Sequence, residues 1–162
     1  MLIRAATLAD IPSIHELGNT IWWDTYEKIL PAPQIEFMLE QMYSTTSLKS
    51  QLDEGITFIL AEIDGRAVGF ASYSQTDTTH YIFKIHKLYL ATKEHGKGIG
   101  KQLLNFIKFH VISQGGKFLE LNVNRNNPAL AFYVKAGFHI TKEIDIPYHG
   151  YTLNDYVMQM PL

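Results

Sequence analysis

Gly96, Gly98 and Gly100 stand at alternate positions in the stretch Lys87-Leu88-Tyr89-Leu90-Ala91-Thr92-Lys93-Glu94-His95-Gly96-Lys97-Gly98-Ile99-Gly100-Lys101-Gln102-Leu103-Leu104. Alternate glycines let successive backbone N–H groups turn outward together, and they let a ligand approach where a Cβ would obstruct it. The apolar run before the glycines reads as a strand, and the pattern after them reads as a helix. The positive end of that helix dipole and its unpaired first-turn N–H groups would add to the loop. This is chemistry suited to a phosphate, and best to a diphosphate. Two familiar phosphate loops do not fit. The dinucleotide fingerprint G-x-G-x-x-G needs a third glycine where Lys101 stands, because Gly100 comes one place early. The Walker loop G-x-x-x-x-G-K-[ST] finds His95 before its Gly100-Lys101 pair and Gln102 after it.

Composition removes other chemistries. The chain has no cysteine, which excludes disulfides, thiolate catalysis and Cys-ligated zinc. Fourteen Lys and Arg against sixteen Asp and Glu give a net charge of −2, so no global attraction to nucleic acid or an anionic membrane is expected. No stretch approaches the roughly 18 apolar residues of a membrane span, and no secretory signal pattern opens the chain. A cytoplasmic protein is the expectation. No His/Asp/Glu spacing suggests a metal site.

The elements that must position the loop can be read in order. Leu2 to Ala5 is a strand. Thr7 then caps a helix, with Asp10 as its partner three residues on and Leu8, Ile11, Ile14 and Leu17 on one face. A second helix is expected from about Gln34 to Tyr43, and a shorter one from Ser47 to Glu54, ended by Gly55. Ile56 to Ile63 is a strand, and Asp64-Gly65 turns it into another from Arg66 to Ser74. Gln75 to Thr79 reads as a polar loop, and Tyr81 to Leu90 as the strand that feeds the glycines. The helix from Gly98 stops near Gly115-Gly116. A strand follows from Lys117 to Val123, then a helix that Pro128 opens and Gly137 ends. Phe138 to Ile146 and Leu153 to Met160 are the last strands, joined by a turn from Pro147 to Tyr151. At 162 residues this is one α+β domain over residues 1–162, with a mixed, mostly antiparallel central sheet flanked by helices.

His95-Gly96-Lys97-Gly98-Ile99-Gly100 resembles the [QR]-x-x-G-x-[GA] pyrophosphate loop of the GNAT-type N-acetyltransferases, with His95 where that family usually has Gln or Arg. Downstream, Asn126-Asn127-Pro128-Ala129-Leu130-Ala131-Phe132-Tyr133-Val134-Lys135-Ala136-Gly137-Phe138 resembles the family's N-x-x-A-x-x-F-Y-x-K-x-G-F signature. Order, separation and the preceding strands also match, so the resemblance covers essentially the whole chain.

The resemblance implies acetyl-CoA as co-substrate, no metal, and transfer of an acetyl group to an amine by direct attack in a ternary complex. It puts Leu88, Tyr89 and Leu90 on a strand whose free backbone groups pair with pantetheine like an added strand. A backbone N–H near Leu88 would polarise the thioester carbonyl. His95, Gly96, Lys97, Gly98, Ile99, Gly100 and Lys101 would hold the pyrophosphate, with Asn126 and Lys135 near the cofactor. Tyr133 matches the tyrosine that faces the sulfur and would protonate the departing thiolate. An alkylamine near pKa 10.4 is neutral in only about one molecule in a thousand at pH 7. His86, four residues before Leu90, is the expected base or relay. Trp22, Trp23, Asp24, Tyr26 and Glu27, with Tyr148 and His149, would receive the acceptor through aromatic and ionic contacts, or else Trp22 and Trp23 cap the core as large aromatics usually do. That set resembles polyamine-type members. A small primary amine is therefore the expected acceptor. A protein lysine or α-amine, or a non-catalytic acyl-CoA sensor, are the alternatives. A homodimer is the family's expectation for assembly.

Overall fold

A computed structural model describes the whole chain, Met1–Leu162. Seven strands form one sheet: β1 (Leu2–Ala5), β2 (Thr57–Ile63), β3 (Arg66–Asp77), β4 (Ile82–Leu90), β5 (Phe118–Asn124), β6 (His139–Tyr148) and β7 (Tyr151–Pro161). Their spatial order is β1-β2-β3-β4-β5-β7-β6. Only β4 and β5 are parallel. The helices are α1 (Ile11–Tyr26), α2 (Ala32–Tyr43), α3 (Thr45–Asp53), α4 (Ile99–Ser113) and α5 (Ala129–Ala136). This is the expected α+β domain with a mixed, mostly antiparallel sheet. No helix is long and apolar enough to cross a membrane.

The sheet separates two apolar clusters. On one face Ile59, Ala61 and Ala71 pack with Leu103, Ile107 and Val111 of α4. On the other, Phe58, Leu60 and Phe70 pack with Ile14 and Trp22 of α1 and Ile35 and Leu39 of α2. Phe58 to Ala61 are all buried, because successive side chains of a doubly covered strand enter alternate cores.

Local chemistry sets the corners. The Thr7 N–H donates to Asp10 Oδ2 at 2.8 Å, the capping arrangement expected, around a short 3₁₀ turn that precedes α1. Asp10 also accepts both terminal nitrogens of Arg4, at 2.9 and 2.8 Å, and Arg4 Nη2 reaches Glu62 Oε1 at 2.9 Å. This fastens β1, β2 and the start of α1. Ser44 caps α3, its side chain accepting from the Ser47 N–H at 3.1 Å. Asp64 and Gly65 have φ of 51° and 72°, the turn expected between β2 and β3.

Two loops are shorter than the sequence led us to expect. Gln75 to Asp77 stay in β3, with Gln75 opposite Phe83 and Asp77 opposite Ile82. Their polarity reflects exposure on the hairpin, not the absence of a ladder. Between β6 and β7 only His149 and Gly150 turn, with φ of 48° and 84°, and Tyr148 pairs with Tyr151. Pro147 is tolerated in β6 because that strand lies at the edge of the sheet.

Candidate active site

The site begins where β4 and β5 part. Their ladder runs from Ile82–Phe118 to Ile85–Leu121 and stops there, although β4 continues to Leu90 and β5 to Asn124. A bulge accounts for the parting. Across β3, Tyr73 stands opposite Ile85 while Ser72 stands opposite Lys87, so His86 is the extra residue. The bulge reverses the side-chain alternation. Phe83 and Ile85 face the α4 cluster, as do Leu88 and Leu90 beyond it. Lys87 instead lies near the Tyr43 and Phe58 rings on the opposite face. A cleft of about 920 Å³ opens between the parted strands, lined also by α1, the glycine loop, α4 and α5.

At one end is the glycine loop. Gly96 and Gly98 have φ of 77° and 79°, the left-handed region in which a side chain is strained. Nothing lies within 4 Å of where their Cβ atoms would be. Gly98 caps α4, and the Gln102 N–H is the first to bond back to it, at 3.1 Å. The preceding first-turn N–H groups are thereby left for a ligand. Lys101, Lys108 and Lys135 line the same cleft and add positive charge. A diphosphate fits this loop on backbone grounds alone. His95 lines the cleft too, but its Nε2–H donates to the Leu90 carbonyl at 3.0 Å, so the ring tethers the loop to the end of β4. The Lys97 side chain pairs with Glu94 at 2.8 Å and lies outside the cleft lining, so this residue belongs to the loop through its backbone and not through its ammonium.

At the other end is the phenol of Tyr133, on α5. The side chain is 7% exposed, lines the cleft, and packs edge-on against Phe132 and Phe138. Burial, and secondarily Tyr26, push its pKa well up, so the hydroxyl keeps its proton throughout the neutral range. Tyr26 of α1 lies beside it. Its hydroxyl receives Asn127 Nδ2 at 3.1 Å and meets Tyr89 Oη at 3.4 Å.

Asn127, not Asn126, is therefore the asparagine of the cleft. Asn126 is exposed, and its N–H closes a turn onto Asn124 Oδ1 at 2.9 Å. Asn127 Oδ1 accepts the Ala129 N–H at 2.9 Å at the start of α5, which points its amide inward. His86 lines the cleft, with Nε2 2.7 Å from Ser74 Oγ. The residue is exposed on the open side of the cleft, and partial desolvation of the ring, then the charges of Lys87 and Lys84, lower its pKa below the ordinary value. It is neutral at pH 7.

The expected acceptor residues divide. Tyr26 and Asp24 line the cleft. Trp22 does not: it is 4% exposed and packs on Tyr26, Tyr43 and Tyr89 with centroids 4.5, 5.6 and 6.2 Å away. It is a core aromatic, its position set by the apolar stripe of α1. Trp23 packs partly on the same cluster. Glu27 is exposed at the C-terminal end of α1. Tyr148 and His149 sit against Phe37 of α2, 6.1 and 5.4 Å between centroids. None of these four lines the cleft. Asn122, Thr25, Thr92 and Lys108 do, and the sequence motifs gave no sign of them. No group of three or more His, Cys, Asp or Glu that could hold a metal is present.

A parted pair of parallel strands, a glycine cradle at one end and a protonated phenol at the other define an acyl-CoA-type transferase site. Residues 18–138 match the model of the Acetyltransferase (GNAT) family. The chain belongs to that family. It is 33% identical over 101 residues, 62% of this chain and 64% of the relative, to an uncharacterized N-acetyltransferase of Mycobacterium tuberculosis. It thus spans about 64% of that relative's length. It is 30% identical over 93 residues to the L-2,4-diaminobutyric acid acetyltransferase of Nocardia farcinica, covering 54% of this chain and 48% of that one. Among solved structures, the PaiA N-acetyltransferase of Thermoplasma acidophilum in complex with coenzyme A superposes with a TM-score of 0.85, at 26% identity, over 99% of this chain and 98% of the other.

Proposed function

We propose that this protein is an acetyl-CoA-dependent N-acetyltransferase acting on a primary amine of a small molecule. The observation that carries this reading is the Tyr133 hydroxyl, buried in the cleft that opens where β4 leaves β5. The similarity to a coenzyme A complex supports the donor. The similarity to a diaminobutyric acid acetyltransferase supports a small amine as acceptor.

Acetyl-CoA, when bound, supplies an activated acyl group as a thioester. The Gly96–Gly100 loop and the start of α4 hold its diphosphate through backbone N–H groups. Leu88 to Leu90, beyond the last β4–β5 pair, offer strand edges to the pantetheine, and an N–H near Leu88 polarises the carbonyl. The acceptor enters on the α1 side, past Tyr26 and Asp24. Its surplus proton leaves by way of His86, which is neutral at pH 7 and so able to accept. The lowered pKa of His86 makes it a relay toward solvent and not a store for the proton. Tyr133 gives its proton to the departing sulfur.

The test is thiol release from acetyl-CoA across a panel of small amines, an N-terminal peptide and a lysine peptide. Turnover with small amines is expected. Tight acetyl-CoA binding with no turnover on any acceptor would overturn the reading in favour of a binding protein, and turnover on the peptides alone would move the acceptor to proteins.

A further inference from the structure

The hydrogen-bond polarity around Tyr26 is fixed from the backbone outward. The Ala129 N–H can only donate, so the Asn127 side-chain atom that receives it, at 2.9 Å, is the amide oxygen. The amide nitrogen is then the inward atom, and it too can only donate. It donates to the Tyr26 oxygen at 3.1 Å, in a buried contact. The phenol oxygen is thus held as an acceptor, and its own proton must point to another atom. The other contact of this hydroxyl is Tyr89 Oη at 3.4 Å, beyond the roughly 2.5–3.0 Å of an O–H···O bond.

Tyr26 is 6% exposed. Its ring packs on Trp22, 4.5 Å away between centroids, so the proton can swing while the oxygen stays in place. Burial raises its pKa, which keeps that proton on the phenol. A buried hydroxyl whose proton lacks a good acceptor is unfavourable until a partner arrives.

The place of this proton names the partner. Tyr26 lines the cleft. Its hydroxyl touches Tyr89, which follows Leu88 on β4, and Asn127, which stands between β5 and α5. It therefore lies across the opening where β4 and β5 part. On one side is the backbone assigned above to the thioester oxygen, and on the other is the helix that carries Tyr133. A donor here suits a developing oxyanion. It does not suit the attacking nitrogen, whose lone pair must stay free.

We propose that Tyr26 is a second donor to the acyl oxygen of acetyl-CoA, acting with the N–H near Leu88, and that Asn127 is the positioning residue that aims it. This rests on the N-acetyltransferase reading. As the amine nitrogen bonds to the acyl carbon, the carbonyl electron pair moves onto oxygen, where the two donors hold the charge. The C–O double bond then re-forms and the C–S bond breaks. Tyr133 protonates the sulfur, the surplus proton of the amine leaves by way of His86, and Tyr26 keeps its own proton throughout.

Tyr26→Phe, Asn127→Asp and the two together test it, through acetyl transfer to a small amine and a coenzyme A titration. Tyr26→Phe should lower kcat by about 10²-fold or more, the scale of one oxyanion donor, with the amine KM and coenzyme A affinity unchanged. Asn127→Asp keeps an oxygen for the Ala129 N–H but makes the inward atom an acceptor, which draws the Tyr26 proton inward. It should lower kcat to a similar extent, and lower it no further when Tyr26→Phe is already present. An unchanged kcat in Tyr26→Phe, or a loss confined to the amine KM or to coenzyme A affinity, would overturn the assignment. So would an Asn127→Asp loss as large with Tyr26→Phe as without it, which would mark Asn127 as structural. The infrared carbonyl stretch of bound acetyl-CoA, isotopically labelled at that carbon, needs no turnover. It should lie lower in the wild type than in either single variant, and equal frequencies in all three would overturn the proposal. Absence of turnover on every amine is a separate outcome: it overturns the acetyltransferase reading, and the carbonyl stretch still decides for or against Tyr26.

Discussion

At the scale of single residues the cleft depends on which groups keep their protons. Burial raises the Tyr133 phenol, so it is an acid with its proton in place at any neutral pH. Tyr133→Phe should lower kcat by about 10²-fold or more, the usual share of a positioned acid, and leave coenzyme A affinity unchanged. Thiol release under single-turnover conditions and a binding titration check this pair. Lys87 shows the opposite case. It is 7% exposed, bonds only Gln51 Oε1, at 2.6 Å, and burial lowers its pKa from 10.5 to about 8. Between pH 8 and 10.5 the unfolded chain therefore holds the extra proton, and stability should rise with pH across that window. Lys87→Met should remove that rise without lowering the urea midpoint at pH 7, since an aliphatic side chain fits the Tyr43 and Phe58 surroundings without burying a charge. Urea unfolding at pH 7, 8, 9 and 10 measures both. Tyr133 was legible because one motif fixes its place. The motif's spacing picks Asn126, three places before Ala129, but spacing does not say where a side chain points, and only the turn onto Asn124 shows that the Asn127 amide is the one aimed inward. Trp22 stayed open between acceptor contact and core, because residue type alone cannot tell an aromatic at a rim from one in a core, and its packing on Tyr26, Tyr43 and Tyr89 decides for the core.

At the scale of elements, the glycine loop was the most legible feature, since alternate glycines before a helical pattern have few structural solutions. The bulge at His86 was not legible. It depends on the register of β3 against β4, which no local signal in β4 encodes, and with it went the side-chain alternation that exposes the backbone of Leu88 to Leu90. The two glycines at the helix start make separable predictions. Gly98→Ala places a side chain at φ of 79° and should cost about 1–2 kcal/mol, besides weakening coenzyme A binding. Gly100 has an ordinary helical backbone, and its Cβ would meet Phe132 at 3.5 Å, normal contact. Gly100→Ala should leave stability equal or up to about 1 kcal/mol higher, from helix propensity, while still weakening coenzyme A binding through the methyl it adds to the cradle. Denaturation midpoints paired with coenzyme A titrations separate the two. Equal destabilisation by both would mean that the loop conformation is not what the ligand needs.

At the scale of the molecule, the sheet joins two cores and parts only at the cleft, so a ligand there touches α1, β4, β5, α4 and α5 together. The backbone beyond Ile85 on β4 has no β5 partner, and a bound pantetheine would stand in for that strand. Coenzyme A at about 100 times its Kd should stabilise the fold by about 2.7 kcal/mol. For a chain of this size that raises the melting temperature by roughly 5–10 °C. Adenosine 3′,5′-bisphosphate, at the same multiple of its own Kd, should give a similar rise, because mass action counts occupancy and not contacts. Hydrogen exchange divides them. The amides of Leu88 to Leu90 should slow with coenzyme A and stay unchanged with the nucleotide, which has nothing to pair with the parted strand. If both ligands slow those amides alike, the protection comes from general stiffening of the sheet, and the parting of β4 from β5 is not where the donor is held.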